Sequence, residues 1–278
     1  MQWDKLIAAT PRDSHVGSHG RGSLFSEGRS SEVHCNAGDA ADSSPLVRDE
    51  EIVSAIKQTP TCLLKPSQFF VGTCGVLYLA FAGFPDPIMS LKQQWEQIQN
   101  VNIAEEGPTS KWPMVALGCL NSEDKSYKLD TLEAISTLSK KISIRLRKVQ
   151  ICLTAVSYVI FSSRCLEKIV FRADIPLHEF EETEPVAYIP DDQKSVVEQY
   201  LAATDEYKVR LKEVNKPGMR SQFYRSYCSE TTLAVFISHH NELMEVIAEY
   251  KRAVDKLLPG YYSWFEKDSL HVTIRCVR

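Results

Sequence analysis

One order of elements occurs twice in this chain, and it narrows the choice of fold more than any other feature. The run Gly75 to Phe84 (GVLYLAFAGF) has the β-branched and aromatic content of a strand and is stopped by Pro85 and Pro87. Ile88, Leu91, Trp95 and Ile98 then recur at helical spacing, and a second strand spans Trp112 to Leu120. Much later, Thr231 to Ser238 (TTLAVFIS) reads as a strand, about Asn241 to Leu258 as an amphipathic helix, Pro259-Gly260 as a turn and Ser269 to Arg278 as a last strand. Two such units imply an α+β fold, with two pseudo-repeated lobes of antiparallel sheet and outer helices around a central cleft.

The intervening residues extend this plan. Asp130 is placed to N-cap a helix in which Leu132, Ile135, Leu138 and Ile142 line one face. Gln150 to Phe161 is a long β-rich run, and Ile169 to Pro176 extends the sheet. A charged helix from about Gln193 to Val214 is closed by Pro217-Gly218. The expected division is a tail over 1–46 and a single bilobal domain over 47–278, with lobe one at about 71–176, the connecting helix at about 191–216 and lobe two at about 228–278. The tail is rich in Ser, Gly, Arg and Asp, has hardly any apolar pattern and is expected to be flexible; it holds His15, His19 and His34.

Composition bounds the partners. The apolar fraction of 44% is ample for a buried core. A net charge of −4 lacks the global positive field that non-specific nucleic-acid binding normally requires, although it leaves room for a local basic groove. A nucleotide end or phosphorylated metabolite fits better than a long duplex. No stretch approaches the roughly 18 to 20 apolar residues of a membrane span, and the start has neither a basic nor an apolar signal region, so a cytoplasmic or nuclear address is expected; the chain is expected to be a monomer. The eight cysteines are dispersed without metal-ligand spacing and read as reduced and structural. Nucleotide-loop, dinucleotide-loop, His-Glu-x-x-His and Gly-x-Ser-x-Gly signatures do not occur in the sequence, so no cofactor and no metal is expected.

The last strand carries the chemistry. In Leu270-His271-Val272-Thr273-Ile274-Arg275, a period of two puts His271, Thr273 and Arg275 on one face and the apolar residues on the other. Imidazole can move a proton near neutral pH, a hydroxyl can bind a phosphate oxygen and a guanidinium can hold phosphate bidentately. The three residues alone also fit an ordinary polar strand face.

Their surroundings add to this. A strand, a long helix, a Pro-Gly turn, the aromatic stretch YYSWFEKDS and then LHVTIR resemble one lobe of the two-histidine (2H) phosphoesterases of the RNA-ligase and cyclic-phosphodiesterase type, over Thr231 to Arg278. The segments GVLYLAFAGFP, SKWPMVALG, PGYYSWF and SLHVTIR are also similar to the plant and algal branch of that superfamily. The resemblance implies a second lobe with a Pro-His-x-Thr-Leu strand, where this chain has Pro113-Met114-Val115-Ala116-Leu117. Trp112, Met114 and Ala116 would face the cleft as degenerate motif positions. In the implied mechanism one histidine deprotonates the nucleophile and the other protonates the leaving oxygen, without a metal.

The resemblance makes His271 and Thr273 the candidate catalytic residues, with Arg275 as a substrate contact. Tyr224 and Arg225, in RSQFYRSYC, are candidates to stack on or neutralise a nucleotide at the cleft mouth. They also fit a linker packed on the domain. Lys111, His178, His239 and His240 are weaker substitutes for the missing histidine. Lys111 alternates away from Trp112, and His239 and His240 fall at the end of their strand less suited to meet the cleft. Three functions stay open: a divergent phosphodiesterase acting on 2′,3′-cyclic or 2′,5′-linked nucleotide or RNA ends; an inactive 2H-fold protein that binds such ends or a protein; and a scaffold presenting the acidic loop Glu179 to Glu184 to a basic partner.

Overall fold

Strand alternation and edge pairing together organise the described residues into two four-stranded antiparallel sheets and a short two-stranded ribbon. The computed structural model describes residues 50–98, 103, 104, 106, 108–179 and 184–277, within the compact unit Glu50–Arg278. The expected tail, with its three histidines, lies outside the described residues. The strands are β1 (Cys62–Leu64), β2 (Pro66–Val71), β3 (Leu77–Phe81), β4 (Met114–Leu120), β5 (Ile151–Leu153), β6 (Ala155–Phe161), β7 (Ile169–Pro176), β8 (Glu230–Phe236), β9 (Tyr262–Trp264) and β10 (His271–Val277). The α-helices are α1 (Glu50–Gln58), α2 (Asp86–Gln97), α3 (Pro108–Lys111), α4 (Leu129–Ser143), α5 (Asp191–Ala203), α6 (Tyr207–Val214), α7 (Ser221–Arg225) and α8 (Asn241–Leu257).

Sheet one has the order β2-β3-β4-β9 and sheet two the order β10-β8-β6-β7, while β1 pairs with β5. The mixed α+β class and the two helix-flanked antiparallel sheets agree with the sequence pattern. The assignment of strands to lobes does not. The run Gln150 to Phe161 breaks at Thr154 into β5, which pairs with β1, and β6, which pairs with β7 and β8. Residues 155–176 thus complete sheet two. In exchange, β9 leaves the last third of the chain to join sheet one beside β4.

Two helix expectations also change. The single helix over Gln193 to Val214 is two helices, α5 and α6, broken after Ala203, where the Thr204 hydroxyl turns back to the Leu201 carbonyl at 2.6 Å. Asp130 lies inside the first turn of α4 rather than at its N-cap, which is Lys128, and its carboxylate accepts the Thr131 N–H at 2.7 Å.

Helices α4 and α8 cover one face of sheet one. Phe69 of β2 stacks on Tyr250 of α8 with ring centroids 4.1 Å apart, and the Tyr250 hydroxyl meets Ser139 of α4 at 2.8 Å. Ser143, at the end of α4, accepts the outward N–H of Phe69 at 2.9 Å and so satisfies part of the open β2 edge. Among the described residues, no helix is long and apolar enough to cross a membrane.

Candidate functional site around His271

Directly opposed residues of an antiparallel pair share a face, so the ladder shows where each side chain of β10 points. His271 lies opposite Phe236, and Thr273 opposite Ala234. A β-bulge then intervenes, and Arg275 lies opposite Leu233. Leu233 and Ala234 are neighbours on β8 and point to opposite faces, so the bulge at Ile274 moves Arg275 off the face that holds His271 and Thr273. The expected trio is therefore a pair.

Arg275 is instead buried in a charge cluster. Its Nη2 donates to Glu96 of α2 at 3.0 Å, and its Nη1 lies 3.4 Å from the Glu106 carboxylate. The same carboxylate pairs with the buried Lys92, whose ammonium also donates to the Ser110 carbonyl at 2.6 Å. Burial lowers the Lys92 pKa, and Glu106 works against that shift. This cluster ties α2 to the outer face of sheet two and corrects the expectation that Arg275 faces a substrate.

His271 is partly exposed, with Nδ1 2.7 Å from the Ser269 carbonyl oxygen. A carbonyl can only accept, so Nδ1 carries the hydrogen and Nε2 of the neutral ring keeps its lone pair. Burial of the imidazole lowers its pKa, and the Ser269 carbonyl opposes this only in part. The ring is set up as a proton acceptor. Thr273, two residues on, is also partly exposed and offers a hydroxyl from the same face.

Strand β10 runs within 8 Å of β4, Cα to Cα, so the two strands meet at the junction of the sheets. On β4, Met114 and Ala116 are partly exposed and alternate with the buried Val115 and Leu117. Met114 lies opposite Ala80, and Ala116 opposite Tyr78. Neither can transfer a proton. Trp112 is buried in an aromatic group, its ring centroid 5.8 Å from Phe70 and 4.9 Å from Tyr200 of α5. Phe70 also stacks on Tyr78 at 5.3 Å. Helix α5 and its aromatic contact therefore close off part of the face where the resemblance expects a second motif.

Tyr224 and Arg225 on α7 are committed to packing. Tyr224 is buried, bonds to the hydroxyl of Tyr78 and lies against Phe265 at 4.8 Å. Arg225 donates to both Glu167 oxygens at 2.8 Å, to Ser221 at 2.7 Å, to Ser263 at 2.6 Å and to the Trp264 carbonyl at 3.0 Å. All five guanidinium N–H groups are engaged. The expected role of these two residues at an open cleft mouth is replaced by one in the frame between α7, the 162–168 loop and β9.

The ladder also reveals polar residues that periodicity alone did not single out. Thr273, Ala234, Ser157 and Asp174 form one row across all four strands of sheet two. At about 4.8 Å per strand, Thr273 is about 10 Å from Ser157 and about 14 Å from Asp174. Ser157 donates to Asp174 at 2.5 Å, and Arg172 donates to the same carboxylate at 2.8 and 3.1 Å while its guanidinium covers Phe236 at 3.9 Å. Burial raises the Asp174 pKa, but the bonds from Arg172 and Ser157 and the charges of Arg172 and His239 outweigh it and hold the carboxyl below its usual range. The alternation in IVFRADIP signals Arg172 and Asp174; their alignment with Thr273 follows only from strand order.

His239 is placed differently from the expectation. Strand β8 ends opposite His271, so the turn with exposed His239 and partly buried His240 lies at the same end of sheet two as His271. The two rings are 4.0 Å apart, and burial with the His239 charge pushes the His240 pKa down to about 4. Lys111 ends α3 and is exposed, and His178 bridges Pro60 beyond β7. Residues 180–183 of the acidic loop lie outside the described residues. Among the described residues, no three His, Cys, Asp or Glu side chains gather as metal ligands. Comparison with protein-family models, curated proteins and solved structures gives no match to this chain.

Proposed function

We propose that this chain is a catalytically reduced protein of the 2H phosphoesterase type, whose cleft binds a nucleotide or RNA end bearing a cyclic phosphate and turns it over poorly. The observation that supports this is the composition of the two strands at the sheet junction. His271 and Thr273 stand on β10, and Met114 and Ala116 stand on β4. The neutral imidazole can accept a hydrogen bond or a proton from a hydroxyl at Nε2, and Thr273 can donate to a phosphate oxygen. Phosphodiester cleavage also has to protonate a leaving oxygen. Loss of that assistance costs roughly 10²–10⁴-fold, or about 3–5 kcal/mol of barrier lowering.

The test is calorimetric titration of the full chain with a 2′,3′-cyclic mononucleotide, with the same mixture followed chromatographically for hydrolysis. Binding that weakens in His271→Ala and Thr273→Val, with slow hydrolysis that His271→Ala lowers to the uncatalysed rate, is the expected result. Absence of binding would remove the proposal. The phosphodiesterase alternative draws support from His239, which is exposed at the His271 end of sheet two and lies in the electrostatic field of Asp174. That alternative requires metal-free hydrolysis abolished by either His271→Ala or His239→Ala.

A further inference from the structure

We propose that the flank formed by α4, the β2 edge and α6 binds the phosphate backbone of a single-stranded nucleic acid, independently of the His271 cleft. Two recesses open on this flank. The first, of about 390 Å³, lies between β2 and the end of α4 and is lined by Lys140, Lys141 and Arg147 with the polar Ser67 and Gln68. The second, of about 510 Å³, is lined by Lys208 and Lys212 of α6 and by Lys216 just beyond it. Both depressions are shallow and open to solvent, so a sugar-phosphate unit can lie against them without being enclosed.

The two recesses border one pair of antiparallel helices. At one end of the pair Lys140 meets Asp205 at 2.7 Å; at the other, Asn215 exchanges hydrogen bonds of 2.8 and 2.9 Å with the Tyr127 backbone. Lys208 and Lys212 are one turn apart on the same face of α6, about 6 Å along its axis at 1.5 Å per residue, and Lys216 follows just beyond the end of the helix. A short strand following this flank meets cations at both recesses.

The charge pattern selects the ligand. Neither lining includes a carboxylate among the described residues, although the whole chain has a net charge of −4. Asp205 pairs with Lys140 and Glu213 with Lys216, whereas Lys141, Arg147, Lys208 and Lys212 make no ion pair among the described residues. Four unneutralised cations spread over two shallow, open depressions favour a flexible polyanion that can bring successive phosphates to each of them. A long duplex needs a broad positive field that a chain of net charge −4 lacks. Neither lining includes an aromatic side chain among the described residues, so binding is to the backbone, indifferent to sequence and strongly dependent on salt.

The experiment uses the full chain and a fluorescent 15-nucleotide RNA ending in an ordinary 3′-hydroxyl, with anisotropy read between 50 and 200 mM salt. Replacing Lys141, Arg147, Lys208 and Lys212 by Gln lowers the log–log salt slope by roughly 2.8, at ~0.7 per lost phosphate contact, and weakens binding at least about tenfold at 50 mM salt. An excess of 2′,3′-cyclic mononucleotide leaves RNA binding unchanged, which separates this surface from the cleft. An unchanged slope in the four-Gln variant, displacement of the RNA by the cyclic mononucleotide, no RNA binding at 50 mM salt, or binding to phosphatidylserine vesicles in preference to RNA would each overturn the proposal.

Discussion

Replacing Arg225 by Ala separates a frame residue from a ligand-binding one. Its guanidinium holds both oxygens of Glu167, and the Glu167 side chain is only 10% exposed. Removal leaves that carboxylate with the Glu266 N–H at 3.2 Å and frees two serine hydroxyls and the Trp264 carbonyl. Breaking a buried ion pair from one side costs ~3–5 kcal/mol. The Arg225 side chain is 32% exposed, so water partly replaces it and the expected loss is near the lower end, about 3 kcal/mol. For a domain of this size, that corresponds to roughly 6–12 °C in Tm. The assay is urea unfolding at neutral pH followed by tryptophan fluorescence, with Arg225→Ala, Glu167→Gln and the double variant compared. Once Glu167 is neutral, removing Arg225 is expected to cost less than about 2 kcal/mol more, because no buried charge is then stranded. If Arg225→Ala stays within about 0.5 kcal/mol of the parent but loses affinity for a cyclic nucleotide, the guanidinium faces ligand and the frame argument fails.

Three other substitutions probe the junction and its supports. Met114→His combined with Ala116→Thr supplies a second His-x-Thr pair on β4, and is expected to raise 2′,3′-cyclic phosphate hydrolysis by at least about 10²-fold in a manner that His271→Ala abolishes; a folded but inactive double variant would show that the strands do not face a common substrate. His240, with its pKa pushed down to about 4, resists protonation in the folded chain while the unfolded chain takes a proton near 6.5. Its contribution is complete above pH 6.5 and is lost as pH falls toward 4, by roughly 1–2 kcal/mol after solvent screening, so unfolding midpoints of His240→Asn should fall less steeply across that window. Gly118→Ala places a Cβ 2.7 Å from Trp264 Cε3 and 2.9 Å from the Ser263 carbonyl oxygen, and is expected to cost about 1–3 kcal/mol in thermal unfolding because that oxygen belongs to the paired β9 backbone.

Periodicity exposed part of this architecture because β4 and β10 bury alternate residues over their first four positions and the long helices bury one stripe. The helix at Asn241 was legible to within a residue of its end, since Leu243, Val246, Ile247, Tyr250 and Val254 repeat the 3.6-residue spacing. The alternation of Met114, Val115, Ala116 and Leu117 likewise gave the β4 faces. The same rule failed at Arg275. A bulge adds one residue to one strand, and the side-chain direction of everything beyond it reverses relative to the simple count. Nothing in Thr-Ile-Arg distinguishes a bulged from an unbulged strand. Arg275 could be assigned only once its partner Leu233, and the carboxylates of Glu96 and Glu106, were known.

The exchange of strands between the sheets has a similar origin and bears directly on His271. Periodicity depends on neighbours within a segment, while sheet membership depends on which edge a segment meets. The short connection after β9 makes this concrete. Its first residue, Phe265, donates its N–H to the Leu117 carbonyl of sheet one at 3.0 Å, and its last, Leu270, accepts the Ile237 N–H beyond β8 of sheet two at 3.1 Å. Between them Ser269 supplies the carbonyl that fixes the His271 ring. The imidazole is therefore oriented by a segment anchored at one end to each sheet, within which the Ser269 N–H and hydroxyl both donate to the Glu266 carbonyl, at 3.1 and 2.8 Å. The His-x-Thr letters identify the strand, but the direction of Nε2 depends on both sheets being paired at once.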